Sequence, residues 1–472
     1  MAKEKASRKT FRSRLQGMID QLRTQITEGH YELGDYLPAE SALAEQYMLS
    51  NNSVRKGLDV LVGEGFIVKV DKVGSRVVKG VKRKQTVVSV GCTPSISRDL
   101  VFERLIDDFQ SLHPSIRVKP VTGTAERPFA NSTYIEAIRA HMEADEIDVF
   151  TINTMSFNEL AESGYTGLLE PQKASGDMYP FLNAAYSIDD VLYAQPLIFS
   201  PVVLCYNRTH FREAGLPEPD SSWRWSDLVR AAARLTTPNQ KHGFYFFQVS
   251  ENRWPLFLLQ SGESFEWDGD RLRSIRGTKL MEGVRLCGEL TRNRDIFPNY
   301  VSESSTDESR LFLEGKISML LAPYNSLNDF KHTDLDYDIS PVPFLDRPAT
   351  LMFTVGVMVN RQSGRKAAAQ TFVDYLASAR AQEIIRRESL SIPAIKAIAE
   401  ETDFSDSGLN RPKHYALFRE IIPSYRVHAE LNIPVRVFKQ LPHLLKLFWS
   451  ELMDEETLDE RLSALVGGTT GE

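Results

Sequence analysis

Ser50, Asn51, Asn52, Arg55 and Lys56 fall within seven residues of one another. On a helix that starts after Ser50, the two carboxamides and the two cations share the outward side, while Val54, Leu58 and Leu61 turn inward. Ser50 is placed to accept a hydrogen bond from a free N–H of the first turn. The outward stripe can donate hydrogen bonds and carries positive charge, which suits a polyanion. Signals for catalysis are lacking. The nine histidines are scattered with no HExxH, and Gly315-Lys316-Ile317 lacks the upstream glycine and the hydroxyl of a phosphate loop. Ser53-Val54-Arg55-Lys56 matches SxxK, but inside a helix with no pocket the match reads as chance. Cys92, Cys205 and Cys287 are isolated, so neither a disulfide framework nor a structural zinc site is expected. No cofactor, metal or catalytic residue is expected.

The chain has 472 residues, enough for about two to four domains. With 42% hydrophobic and 25% charged residues it has the profile of a folded globular protein, which excludes large-scale disorder. Mean hydropathy is -0.28 and no run of about 18 apolar residues occurs, which excludes a membrane-spanning helix. The net charge of -7 is unevenly placed: through Lys84 there are 16 Lys+Arg against 10 Asp+Glu, a net of +6, leaving -13 for the remainder. A basic head on an acidic body points to a polyanion-binding module at one end. The start is basic and no apolar segment follows it, so no secretory signal is expected and a reducing cytoplasm is the expected compartment.

The elements that hold the first stripe can be read in order. From Phe11 to Glu28, Leu15, Met18, Ile19, Leu22 and Ile26 form one face of an amphipathic helix, which Gly29 stops. Residues 1–10 are expected as a basic tail. Pro38 marks the start of a second helix of about nine residues, a tight turn at Met48-Leu49 follows, and the third helix carries the stripe; two helices joined by a short turn make a helix-turn-helix. Phe66-Ile67-Val68-Lys69-Val70 and Ser75-Arg76-Val77-Val78 flank Asp71-Lys72-Val73-Gly74, a hairpin pattern carrying Lys69, Lys72 and Arg76. In LGDYLPAESALAEQY, LSNNSVRKGLDVLVGEGFIV and VGSRVV, residues 11–79 resemble the GntR-type winged-helix DNA-binding domain, an α+β fold. The resemblance implies DNA contacts by Ser50, Asn51, Asn52, Ser53, Arg55 and Lys56 in the major groove, by Ser41 at the second helix start, and by Lys72, Gly74, Ser75 and Arg76 in the wing. That family usually has Arg where Ser41 and Asn51 stand and Gly where Lys72 stands. Asn51 and Asn52 offer amides that can read adenine edges, so an operator unlike the family's common one is expected.

Residues 80–86 form a linker to an alternation of strands and helices, which predicts βαβ units and a mostly parallel sheet. The strand ends, where ligands meet such sheets, are Thr93-Pro94-Ser95, Thr122-Gly123-Thr124 and Asn153-Thr154-Met155. From Val87 to Val466 the chain is similar to the extracellular solute-binding proteins of the maltose-binding type. The marks are FERLIDDFQSLHPSIRV, DVLYAQPLIFSPVVLCYNRTHFREAGLPEP with SSWRWSDLVRAAARLT, WPLFLLQSGESF, RLFLEGKISMLLAPYNS and AAAQTFVDYLASARAQEII. The resemblance implies a two-lobed α/β body (residues 87–466) that closes on ligand. The chain is expected to cross between lobes near Ile198–Ser200, near Val342–Phe344 and after Pro393. A sugar needs flat aromatic faces and amide or hydroxyl partners. The candidates are Trp254, Tyr324 and Phe353 as platforms, with Thr93, Ser95, Asn153, Gln248, Asn325 and Thr354 as polar contacts. Trp223 and Trp225 are expected to be structural. Asp107, Asp108, Asp189 and Asp190 are expected as exposed charges, and Arg127 as a solvated charge near a cleft loop.

The joint reading is a transcription regulator that senses a small solute, a sugar or oligosaccharide, and changes its affinity for double-stranded DNA. One winged helix makes few base contacts, so a homodimer on a pseudo-palindromic operator is expected, with repression relieved by ligand as the family's default. The alternative is the solute-binding receptor component of a transport system, and a third reading is an enzyme acting on the solute.

Overall fold

The structure is a computed structural model that describes residues 2–71, 73–79, 85–122, 134–300, 304–402 and 408–467. It divides into two compact units, Met1–Thr86 with Pro114–Arg117, and Val87–His113 with Val118–Glu472. In the first unit α1 (Ala2–Thr27), α2 (Glu40–Gln46) and α3 (Asn51–Gly63) precede an antiparallel ribbon of β1 (Ile67–Val70) and β2 (Gly74–Val77), the winged helix-turn-helix order. The helix begins at Ala2, so the segment expected as a basic tail is helical. Its Ala, Lys, Glu and Arg residues are good helix formers, and neither Gly nor Pro interrupts them. Gly29, at φ 84°, ends the run. The second helix starts at Glu40, later than Pro38 suggests, because Ala39 is still extended at ψ 147°; it has 7 residues rather than about nine. Met18, Ile19, Leu22 and Ile26 of α1 pack with Leu43 of α2, Val54, Leu58 and Leu61 of α3, and Ile67 and Val77 of the ribbon. Gly57 lets α1 and α3 approach, since a Cβ there would meet the Met18 side chain.

The second unit opens with β3 (Thr86–Cys92), α4 (Ile96–Leu100), α5 (Phe102–Leu112), β4 (Ile116–Thr122), α6 (Tyr134–Glu143), β5 (Val149–Asn153) and α7 (Thr154–Glu162). After α8 (Pro180–Ala184) and the ribbon of β6 (Ser187–Ile188) and β7 (Val191–Leu192) comes β8 (Gln195–Asn207), buried along its whole length. Then follow α9 (Arg208–Glu213), α10 (Trp225–Leu235), β9 (His242–Tyr245), α11 (Pro255–Leu259), the ribbon of β10 (Trp267–Asp268) and β11 (Arg271–Leu272), α12 (Lys279–Arg292), α13 (Ser305–Leu313), β12 (Ile317–Pro323), β13 (Tyr337–Ser340) and β14 (Thr350–Val359). The chain ends with α14 (Lys366–Leu376), α15 (Ala379–Glu388), β15 (Ile392–Pro393), α16 (Lys396–Ala399), α17 (Leu417–Glu420), β16 (Tyr425–Arg426), α18 (Val435–Phe438), α19 (Leu441–Trp449) and α20 (Glu455–Gly467).

The sheet order is β4-β3-β5-β14-β8-β12-β9. It is mixed rather than mostly parallel. β3 runs parallel to β5 and β9 to β12, but the two long strands β8 and β14 enter antiparallel to their neighbours because they carry the chain from one lobe to the other. Residues 195–201 of β8 pair with β14, while residues 202–206 pair with β12. Phe344 bridges Arg224, and the Val355–Val359 half of β14 pairs with β5. One lobe has its own core of Ile135, Ile138, Met142, Phe150, Phe157 and Tyr186. Trp225 is a structural residue: it is buried and donates its indole N–H to Gln260 at 2.8 Å. Asp108, expected on the surface, is buried between Arg380 (2.6 Å) and Tyr375 (2.9 Å), which hold its carboxyl down at about 2. Asp189 and Asp190 are exposed turn residues at φ 49° and 62°.

Candidate functional sites

On α3, Ser50 is the N-cap: its Oγ accepts the Ser53 N–H at 3.3 Å. The two hydroxyls are 2.8 Å apart and Ser53 is 8% exposed, so Ser53 faces the protein rather than a groove. Asn51, Asn52, Arg55 and Lys56 are exposed, as is Ser41. They share one side because Val54, Gly57, Leu58 and Leu61 must face α1 and α2. The guanidinium of Arg55 is held by Glu40 of α2, Nε to Oε2 at 2.6 Å. On the ribbon, Gly74 sits at φ 141°, a conformation in which a side chain is strained, and Arg76 is exposed. Ser75 is turned inward at 8% exposure, and its carbonyl accepts the Leu37 N–H, so its expected contact is not presented. Lys72 lies outside the described residues. Lys69 pairs with Asp59, an exposed pair of small worth.

In the second unit, a cavity of about 190 Å³ collects Thr93, Ser95, Asn153, Asn325 and Phe353 from four separate segments. Thr93 is placed by its N–H on Thr151 Oγ1 (2.8 Å), Asn325 by exchange with the Ser200 hydroxyl (3.0 and 3.1 Å), and Asn153 by capping α7 through the Ser156 N–H (2.8 Å). Arg98, Asp99 and Arg253 also line it, and the sequence reading missed all three. Asp99 is 1% exposed, its carboxylate held by Arg98 Nε at 2.8 Å; burial pushes its carboxyl up, and Arg98, Ser95 and Asn325 oppose that. Arg253 forms a fully buried ion pair with Glu308 and donates to the Leu321 carbonyl at 3.0 Å. Glu308 also accepts the Phe247 N–H at 2.7 Å, and burial pushes its carboxyl up against the pull of Arg253.

Four expected contacts do not face this cavity. Trp254 is 1% exposed, its ring stacked on Phe438 at 5.1 Å and edge-on to Trp449, which makes it core. Tyr324 is buried, its hydroxyl donating to the Tyr415 carbonyl and accepting from the Phe418 N–H, both at 2.9 Å. Gln248 is spent on Thr291 at 3.1 Å. Thr354 is fully buried; strand alternation sends it to the face of β14 opposite Phe353 and Val355. Gly123, Thr124 and Arg127 lie outside the described residues.

A larger cavity of about 980 Å³ lies between α7 and the segment His428–Phe438. Met155, Glu159 and Glu162 line one side, His428 and Phe438 the other, with Tyr165 and Trp267 as half-buried aromatics that the sequence reading also missed. Glu159 pairs with Lys439 at 2.6 Å, and Glu162 accepts the Val435 N–H at 2.8 Å. Trp267 donates to the Asn432 carbonyl at 2.8 Å. His428 donates from Nε2 to the Glu251 carbonyl at 2.7 Å, and burial drives it down to about 4, so it is neutral. A flat aromatic beside carboxylates and amides is the chemistry of polyol binding.

Among the described residues there is no cluster of His, Cys, Asp or Glu able to hold a metal ion, and no helix long and apolar enough to cross a membrane.

Comparison with known proteins places a stretch of each unit in a family. Residues 16–77 match the gntR family of bacterial regulatory proteins, and residues 93–383 match the bacterial extracellular solute-binding proteins. A multiple sugar-binding protein of Streptococcus mutans is 22% identical over 339 residues, covering 67% of this chain and 78% of the relative. A galactooligosaccharide-binding protein of Bacillus subtilis is 21% identical over 309 residues (62% and 69%), and an sn-glycerol-3-phosphate-binding periplasmic protein of Escherichia coli is 22% identical over 298 residues (58% and 66%). Solved structures agree on the fold. A substrate-binding protein of Listeria monocytogenes in complex with cycloalternan has a TM-score of 0.67 at 19% identity, covering 82% of this chain and 99% of that one. A maltose-bound protein of T. maritima has a TM-score of 0.68 at 15% identity, covering 81% and 99%. Neither family is one of enzymes. The chain belongs to the bacterial extracellular solute-binding protein family and carries, ahead of that two-lobed fold, a winged helix of the gntR family of bacterial regulatory proteins.

Proposed function

We propose that the protein is a cytoplasmic transcription regulator that binds operator DNA through α3 and the wing and senses a sugar in the cleft of its second unit. One observation carries this reading: the exposed row of Asn51, Asn52, Arg55 and Lys56 belongs to the same chain as a solute-binding fold. Supporting it, two of the relatives are named for binding sugars. The DNA contacts are Asn51, Asn52, Arg55, Lys56, Ser41, Ser50, Gly74 and Arg76; the ligand contacts begin with Thr93, Ser95, Asn153, Asn325 and Phe353. The active species is a homodimer on a pseudo-palindromic site, because one winged helix makes too few base contacts for specific binding at cellular salt. Ligand acts through unequal affinity for the DNA-competent and DNA-incompetent dimers; a tenfold relief of repression needs about 1.4 kcal/mol of coupling.

The test is binding of the purified chain to duplex DNA from its own gene neighbourhood, with and without each sugar that raises its melting temperature. A ligand at 100 times its Kd stabilises by about 2.7 kcal/mol, which a thermal shift detects. No salt-sensitive affinity for that DNA under any condition rejects the reading. The names of the relatives favour a second reading, a receptor that delivers solute to a transport system; capture of the protein with a membrane permease, and not with DNA, would establish it.

A further inference from the structure

Resting on the sensing role proposed above, we infer that the smaller cavity selects an uncharged sugar ring and rejects phosphorylated or carboxylated ones. Its volume, about 190 Å³, is below the roughly 300–1,000 Å³ usual for drug-sized ligands, so it has room for one ring. Both of its cations already face carboxylates. Arg98 is held by Asp99 at 2.8 Å with Asp329 at 3.7 Å, and Arg253 is consumed by Glu308 and the Leu321 carbonyl. Three carboxylates therefore face two guanidinium groups, a net charge of -1 when all are ionised. With Asp99 protonated the group is neutral, and Arg98 still has Asp329 at 3.7 Å.

A helix N-terminus could substitute for a cation, but neither one here is free for an anion. α7 is capped by the Asn153 side chain at 2.8 Å, and α4 carries Asp99 in its own first turn. A phosphate or carboxylate would be desolvated beside Asp99 and would have to compete with it for Arg98, whereas ring hydroxyls can donate to Asp99 and exchange hydrogen bonds with Thr93, Ser95 and Asn325. One relative is named for binding a phosphorylated polyol and two for binding sugars. The charge arrangement assigns this chain to the neutral side of that divide.

The experiment is calorimetry on the full chain with sets of probes matched except at C6: glucose, glucuronate and glucose 6-phosphate, and the corresponding galactose set, extended to maltose and lactose. We expect at least one neutral probe to bind and its charged counterparts to bind at least tenfold more weakly. Asp329→Asn removes one carboxylate from the partly exposed rim of the cluster, so it should narrow that ratio severalfold while leaving the neutral Kd within about twofold. Equal or tighter binding of the charged member overturns the inference and leaves the sensing role standing. A ratio unmoved by Asp329→Asn also overturns it. Silence from every probe, neutral and charged, overturns the inference and the sensing role together.

Discussion

Arg55 Nε lies 2.6 Å from Glu40 Oε2, so the cation at the centre of the outward face of α3 is already engaged by the helix before it. Arg55 remains 61% exposed, and so close a pair at the surface contributes little to stability. Its consequence is positional: Glu40 fixes where the guanidinium stands before DNA arrives. Arg55→Ala should weaken operator binding by about 1–3 kcal/mol if the contact is to a base, or lower the salt slope by about one if it is to a phosphate. Anisotropy titrations across a salt series separate the two. The ligand-induced thermal shift should be unchanged; its loss together with DNA binding would make Arg55 a structural residue.

Met48 occupies the turn between α2 and α3 at φ 50° and is 72% exposed. A non-glycine residue in this left-handed region costs roughly 1–2 kcal/mol, and Met48 buries nothing in return. Met48→Gly should therefore stabilise the winged helix, by about 1 kcal/mol after the added freedom of the unfolded glycine is subtracted. Urea unfolding followed by a probe in the first unit measures it, and a decrease in stability would show that the methionine side chain has a packing role.

The first unit was legible because its apolar residues repeat at helical spacing over long runs: Met18, Leu22 and Ile26 on one helix, Val54, Leu58 and Leu61 on another. What failed there was side-chain fate at polar positions. Ser53 and Ser75 are hydroxyls small enough to be buried once a neighbour satisfies them, as Ser50 does for Ser53. The cleft was harder to read. An aromatic residue after a strand has the same signature whether it packs or binds, and Trp254 and Tyr324 pack. Conversely, the Arg98-Asp99 pair looks like a solvated helix turn, although its place just after the end of β3 was a usable signal. Arg253 and Glu308 stand 55 residues apart, and no local pattern joins them.

That pair gives a sharp stability test. Arg253 is 2% exposed and Glu308 fully buried, so removing either partner leaves a charge in the protein interior. Glu308→Ala should cost about 3–5 kcal/mol, while replacing both by apolar residues should recover much of the loss. Denaturant melts of the two single variants and the double variant decide it; additive losses would mean that the pair acts through its separate hydrogen bonds.

His428 should make the second unit acid-sensitive. Burial lowers its folded value from 6.5 to about 4, so below pH 6.5 the unfolded chain binds a proton that the folded chain refuses. The stabilisation is complete above pH 6.5 and is lost as pH falls toward 4, with about 3 kcal/mol at stake. His428→Gln can keep a donor for the Glu251 carbonyl without titrating, and should flatten the stability profile between pH 6.5 and 4. Thermal melts across that window test it, and a variant as pH-dependent as the parent would clear His428 of the effect; Glu251 and Glu162, both pushed up by burial, favour the folded state as pH falls and cannot supply it.

Lys439 and Glu159 close the other side of the same wall. The ion pair at 2.6 Å, with Glu159 11% exposed, joins α7 of one lobe to the segment after α18 of the other, and Glu162 reinforces it by accepting the Val435 N–H. On the proposed closing of the two lobes around ligand, this attraction counts only when the cleft is shut, so it would bias closure. Lys439→Met keeps the aliphatic stem and deletes the charge. It should lower the closed population by about 1 kcal/mol, a factor of about five, and weaken ligand binding to the same degree if ligand binds the closed form. Small-angle scattering would report a more open mean shape and calorimetry a raised Kd. An open shape with an unchanged Kd would mean that ligand binds both forms equally, and closure could then not transmit its presence to DNA.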